Sequence, residues 1–293
     1  MKIGGEDMRL NININSLNIY RNYSKNLIDN KSALEKISSG KKLNSAKDNP
    51  NKLGQSEIMR IKLRSLQMAE RNVQDTNSML QSVDGSLNSI NNSLVRMKEL
   101  VVRAASDTNS PEDKKIIQEE IDSIKDGIDE LVGKSEFNGV NLLKDDGVKN
   151  NYTPKHMESM IGADSGETVF IPKYNASTNK LTDKEGNKLS DLSVLNDKDA
   201  QRAISTVDDV IEQVTSMRSK YGAIASRLET TGNGLGELEG MTTKAQSQLS
   251  DADIASEIAE LSRTQILNNS SLALMVQSNN LPKDALRVLE RMR

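Results

Sequence analysis

Two stretches of this chain carry the same seven-residue hydrophobic rhythm, one toward each end. In the first, Met59, Leu66, Val73, Leu80, Leu87, Leu94 and Val101 fall seven apart, with Ala69, Thr76, Val83, Ile90, Met97 and Ala104 among the positions three later. In the second, Val207, Val214, Tyr221, Leu228, Leu235, Thr242 and Leu249 repeat the spacing, followed by Val210, Met217, Ile224, Thr231, Leu238, Ala245 and Ala252. A helix patterned this way has one narrow apolar seam and needs a partner helix to cover it. Each run would span about 65 Å at 1.5 Å per residue. The sequence therefore predicts a mainly α protein: a long antiparallel helical rod, coiled-coil-like, in which the two ends of the chain meet.

Composition agrees with seam packing. Aromatic residues make up 2% of the 293 residues and Trp is absent, so large aromatics cannot dominate the core. The net charge of -3 comes from interspersed acids and bases, with no basic stripe, so no nucleic-acid partner is expected. The lack of cysteine excludes disulfides, cysteine-ligated zinc and thiol catalysis. No apolar run approaches the roughly 20 residues of a membrane span, and no membrane partner is expected. The opening MKIGGEDMRLNININSLN has no apolar core of a cleaved signal, so export would need another route.

Between the heptads the chain is punctuated. Residues 12–46 form an amphipathic segment with Tyr20, Leu27 and Leu34 seven apart, interrupted by Ser39-Gly40 and by Asp48-Asn49-Pro50-Asn51. Ser110, Pro111 and Asp113 mark a helix start as N-cap, first helical residue and third-position acid. Ile117, Ile121, Ile124, Ile128 and Leu131 then give a shorter helix that folds back on the long one. Asn138-Gly139 signals a tight hairpin. Met160 to Ile171 reads as two short strands around a turn. The polar stretch 172–197 lacks apolar periodicity and is expected to tolerate deletion. Gly232, Gly234, Gly236 and Gly240 predict a kink or loose turn in the second long helix. A last amphipathic segment, 251–291, places Ile254, Ile258, Leu261 and Ile266 on one face, with Pro282 breaking it near the end.

No constellation carries catalysis. His156 is the only histidine and lacks converging partners, no HExxH motif occurs, and the glycine spacing matches no phosphate loop. The chain is expected to be no enzyme and to need no cofactor or metal. The stripes of 8–48 and 251–291 have little remaining core to join, and an unsatisfied apolar stripe invites other copies into an open-ended assembly.

The ordered motifs resemble those of bacterial flagellin. They comprise Leu34-Glu35-Lys36-Ile37-Ser38-Ser39-Gly40 with Asn44-Ser45-Ala46-Lys47-Asp48, then Gln74-Asp75, Leu80-Gln81, Met97-Lys98-Glu99-Leu100 and Glu136-Phe137-Asn138-Gly139. Near the other end stand Asp251-Ala252-Asp253-Ile254-Ala255 and Pro282 to Leu289. The resemblance spans about 8–171 and 200–290. Departures are Ser250 where the family has a basic residue, the glycine cluster, Met1 to Asp7 ahead of the usual start at Met8-Arg9-Leu10-Asn11, and the added Glu290 to Arg293.

The resemblance implies a subunit of the flagellar filament, polymerising into a helical homopolymer for swimming; the alternative is a hook–filament junction protein of the same superfamily. It implies a terminal polymerisation domain, 8–49 with 251–293, forming an inner tube. A rod domain, 50–250, would carry a short variable β-rich insert at about 135–197. It further implies secretion to the extracellular filament through a type III export apparatus with an export chaperone, and contact with hook-associated and cap proteins. Finally, it implies recognition by the host innate receptor Toll-like receptor five through Arg96, Leu100 and Glu120.

Overall fold

The computed structural model describes residues 13–106, 108–144, 147 and 151–291, with backbone alone for 285, 286 and 288–291. Five helices, α1 (Ile14–Ser39), α2 (Pro50–Ala104), α3 (Pro111–Lys134), α4 (Asp197–Ser250) and α5 (Ile254–Arg291), account for most of it. Two antiparallel hairpins lie between α3 and α4: β1 (Glu136–Phe137) with β2 (Val140–Asn141), and β3 (Lys155–Met160) with β4 (Thr168–Lys173). The mainly α fold with a small β region in mid-chain is as the sequence predicts. The start at Met8 to Asn11 lies outside the described residues, as do Met292 and Arg293.

The chain divides into two compact units, Met1–Ile61 with Met241–Arg293, and Lys62–Gly240. In the second unit the heptad seams form the core. Leu66, Val73, Leu80, Leu87, Leu94 and Val101 of α2 are all buried, as are Val207, Val214, Tyr221, Leu228 and Leu235 of α4. The helices run antiparallel. Asp84 holds Arg218 at 2.8 Å, and Gln67, further back along α2, reaches Glu239, further along α4, at 2.7 Å. Beyond Leu235 the α4 seam fades, and Leu238 is exposed.

α3 begins as its sequence dictates. Ser110 Oγ accepts from Asp113 N while Asp113 accepts from Ser110 N, a reciprocal cap. Its buried face is Ile117, Ile121, Ile128 and Val132; Leu131, assigned to that face from sequence, is exposed instead. A helix turns 3.6 residues at a time, so Val132, four after Ile128, overtakes Leu131. Asn138 (φ 49) and Gly139 (φ 76) form the tight turn of the first hairpin.

Three expectations fail. The glycine cluster produces no break, because α4 is helical throughout Asp197–Ser250. Leu228 just before it and Leu235 within it lie on the buried seam, and their burial offsets roughly 1 kcal/mol per glycine. At Gly232 an added Cβ would lie 3.4 Å from Val73 Cγ1, so the backbone passes close to α2 there. Pro282 does not end α5, which continues to Arg291.

The third failure is the polar stretch 172–197, which is not a detached loop. Tyr174, Ala176, Leu181, Leu189 and Val194 within it are almost wholly buried. Polar anchors from the helices hold it down. Lys125 Nζ donates to Leu192 O at 2.8 Å and Ser190 O at 3.2 Å. Asp129 accepts from Thr178 N and Oγ1 at 2.9 and 2.6 Å. Tyr221 Oη donates to Pro172 O at 2.8 Å, and burial pushes that phenol above its usual range. Asp183, itself buried, gathers Glu185 N, Asn187 N, Asn187 Nδ2 and Thr206 Oγ1. Burial alone would raise its pKa, but these donors together lower it.

Candidate assembly surface

In the first unit α1 packs on α5. Asn13, Asn30 and Lys36 of α1 meet Ser278, Thr264 and Glu257 of α5, the reverse order along the chain, so the pair is antiparallel. A backbone clasp closes one end: Lys42 N donates to Ser250 O at 2.6 Å and Ala252 N to Gly40 O at 3.0 Å. Gly40 takes φ 68 as the helix cap, a conformation that favours glycine. The adjoining turn is organised by Asp48, which accepts from Asn44 N at 3.0 Å and Ser45 N at 2.9 Å; these amides hold its carboxyl below the usual range. Asp251 is lowered likewise by the Ser247 and Ser250 hydroxyls, then by Lys41. Ser250, where a basic residue was expected by resemblance, thus serves as hydroxyl donor to Asp251 and carbonyl acceptor from Lys42.

The seam of this pair is more polar than that of an ordinary coiled coil. The shielded residues of α1 follow three- and four-residue steps: Ser16, Ile19, Tyr23, Asn26, Asn30, Ala33 and Ile37. Those of α5 do the same: Glu257, Leu261, Thr264, Asn268, Ser271, Met275 and Ser278. The seam is therefore largely small and polar. Ile19, Tyr23, Ile37, Leu261 and Met275 are the large apolar residues within it, and more lie outside. Ile14, Leu17, Tyr20, Leu27, Ile28 and Leu34 of α1 are exposed, and so are Ile254, Ile258, Ile266, Leu272, Leu274, Val276 and Leu281 of α5. Ile28 keeps 68% of its surface in water and Ile266 66%. Scattered apolar residues on a surface need no explanation, but this many on two paired helices makes the pair a candidate interaction surface.

The three residues suggested by resemblance for receptor recognition lie in the second unit and are not equivalent. Arg96 and Glu120 are brought together, Arg96 Nη2 donating to Glu120 Oε1 at 2.8 Å, on an exposed face. Glu99, which sequence reasoning did not single out, completes the cluster by accepting from Arg96 Nη1 at 3.1 Å. The Glu120 and Glu99 carboxylates raise the Arg96 pKa. Leu100 is only 2% exposed and belongs to the core. His156 sits on β3, edge-on to Phe170 at 6.3 Å. Among the described residues no group of three or more His, Asp or Glu side chains could hold a metal ion, and no helix is long and apolar enough to cross a membrane.

Residues 10–147 match the family model of the bacterial flagellin N-terminal helical region, and residues 204–289 that of the C-terminal helical region. The chain belongs to the bacterial flagellin family. It is 32% identical to the flagellar filament 30.7 kDa core protein of Treponema maltophilum over 96% of this chain and 100% of that one. To the flagellin of Bacillus subtilis it is 33% identical, with 96% and 100% covered. Among solved structures, a putative flagellar hook-associated protein from Vibrio parahaemolyticus shares the fold at a TM-score of 0.57. That match is 15% identical and covers 70% of this chain and 100% of the other. The flagellin models meet both α1 and α5, so the family's two helical regions supply the two partners of this pair.

Proposed function

We propose that this flagellin polymerises through the outward apolar faces of α1 and α5. The chain is a structural subunit of the bacterial flagellar filament, and motility follows from its family. One observation supports this route of assembly above others: the paired helices shield a mixed seam of polar and apolar residues and still leave Ile14, Leu17, Tyr20, Ile28, Ile266 and Leu274, among others, in water. Further copies of the same pair are the complementary surface, since each contributes the same apolar stripes and a heterologous contact repeats without closing. On this reading 8–49 with 251–293 is the polymerising domain and forms the inner tube, while 50–250 forms the outer part. The subunits leave the cell through the type III export apparatus with an export chaperone, and meet hook-associated and cap proteins at the ends of an extracellular filament.

The test is direct. The full chain should form filaments visible by negative-stain microscopy. A fragment of residues 50–250 should remain helical and monomeric. Filaments from that fragment would overturn the assignment.

The exposed Arg96–Glu120 pair, with Glu99, is the proposed contact for Toll-like receptor five. Arginine is a frequent anchor at interface hot spots. Leu100 then acts from the core by positioning α2, not by touching the receptor.

A further inference from the structure

Gly232, Gly234, Gly236 and Gly240 crowd one stretch of α4, yet that helix is unbroken. Backbone conformation does not call for them, because none belongs to the glycines of positive φ. Space does not call for three of them either. A Cβ added at Gly234, Gly236 or Gly240 would meet nothing within 4 Å, and all three positions are exposed. Gly232 differs, since its Cβ would lie 3.4 Å from Val73 Cγ1. Alanine would therefore fit at three of the four, and would favour the helix roughly fivefold at each. These glycines soften α4 with no turn or close approach in return.

The same stretch is weakly held in other ways. Thr230 and Thr231 turn their hydroxyls onto carbonyls of their own helix, Ser226 O at 3.0 Å and Arg227 O at 2.9 Å, a habit that loosens helices. Leu235 is the last buried apolar residue of the α4 seam. Beside it lies a cavity of about 330 Å³, lined by Leu66, Ile161, Thr231, Leu235 and Leu238 among others. Side chains facing a void lack contacts on that side. Earlier in α4 the hold is firm. Met217, Tyr221 and Leu228 are buried, Arg218 is paired with Asp84, and Tyr221 Oη donates to Pro172 O.

We propose that residues 230–240 form a yielding joint within α4, the stretch that opens first while the heptads before it stay closed. Opening there gives up the burial of Leu235 and little else, and it releases backbone freedom that is greatest for glycine. This is not the fraying of a helix end, because α4 continues to Ser250. Opening also draws Leu235 away from Leu66 and Ile161, which share the cavity with it, so the joint governs access to that apolar wall. The inference is independent of the assembly and receptor readings above.

The test is hydrogen exchange read by mass spectrometry on the unassembled full chain, with intrinsic rates divided out. In the parent, the amides of 232–240 should exchange at least about tenfold faster than those of 214–222. The triple variant Gly234→Ala/Gly236→Ala/Gly240→Ala should slow 232–240 on the order of a hundredfold and melt no lower than the parent. Gly222→Ala is the control, an exposed position of α4 where an added Cβ also meets nothing within 4 Å. It should leave 232–240 unchanged, because the local opening does not include residue 222. Equal protection of the two stretches in the parent overturns the proposal, as does unslowed exchange in the triple variant. Slowing of both stretches together by Gly222→Ala overturns it too, since 232–240 would then open only when the whole unit unfolds. A lower melting temperature in the triple variant also overturns it, because the glycines would then be needed for packing.

Discussion

Leu189 and Leu195 lie six residues apart in the stretch that by sequence looks dispensable, yet Leu189 is 0% exposed and Leu195 48%. Truncating each to alanine separates a packed segment from a loose one. Leu189→Ala removes three carbons from the core. At about 0.8 kcal/mol per buried methylene this is a loss of ~2.4 kcal/mol in transfer free energy. The void left behind raises the total into the range of about 2–5 kcal/mol measured for buried leucines. Collapse of the cavity is hindered because backbone bonds tie Leu189 N to Leu181 O at 3.0 Å and Ser190 N to Thr178 O at 3.1 Å. Leu195→Ala should change stability by less than about 0.5 kcal/mol. The assay is urea denaturation followed by circular dichroism at 222 nm, with thermal melts beside it. For a unit of this size each kcal/mol shifts the midpoint by roughly 2–4 °C, so Leu189→Ala should melt at least ~5 °C lower. Equal, small effects at both positions would refute the conclusion that 172–197 is integral to the second unit. Replacement of the stretch by a short linker should unfold or loosen that unit for the same reason.

Leu87→Ala and Leu228→Ala, both fully buried on the seams, should each destabilise by about 2–5 kcal/mol. Ser89→Ala and Glu229→Ala, on exposed faces, should be nearly neutral in the same melts. The folded-state pKa of Asp183 lies below its unfolded value, so the stability it contributes is present above the unfolded pKa near 3.8 and is lost as pH falls through the lowered folded value. Asp183→Asn should therefore flatten the acid limb of the stability–pH curve, and a parallel curve for parent and variant would count against the Asp183 network. Arg96→Ala should weaken Toll-like receptor five signalling at least tenfold, about 1.4 kcal/mol, with an unchanged melting curve. Undiminished signalling from the folded variant would remove Arg96 from the contact.

What could be read from the sequence is what depends on local periodicity. The heptads of α2 and of α4 as far as Leu235, the Ser110 cap and the Asn138-Gly139 turn follow from spacing or from the preferences of single residues and are where they were expected, whereas of the four residues assigned to one face of α5 Ile254, Ile258 and Ile266 are exposed and Leu261 is shielded. The features decided only by tertiary structure depend on partners distant in the chain. Residues 172–197 look like a solvated loop because their polar groups are numerous; Lys125, Asp129 and Tyr221 satisfy that stretch's backbone and hydroxyl groups from the helices, and its few leucines can then be buried. Pro282 looks like a helix breaker until Asn13, from the other end of the chain, supplies the donor its ring removed. The glycines of α4 look like a kink until the seam residues around them are held against α2. Periodicity marks the apolar stripes of α1 and α5 but cannot say which face pairs. The fold brings Asn13 and Asn30 against Ser278 and Thr264, where they find hydrogen-bond partners, and leaves many of the leucines and isoleucines of both helices in water.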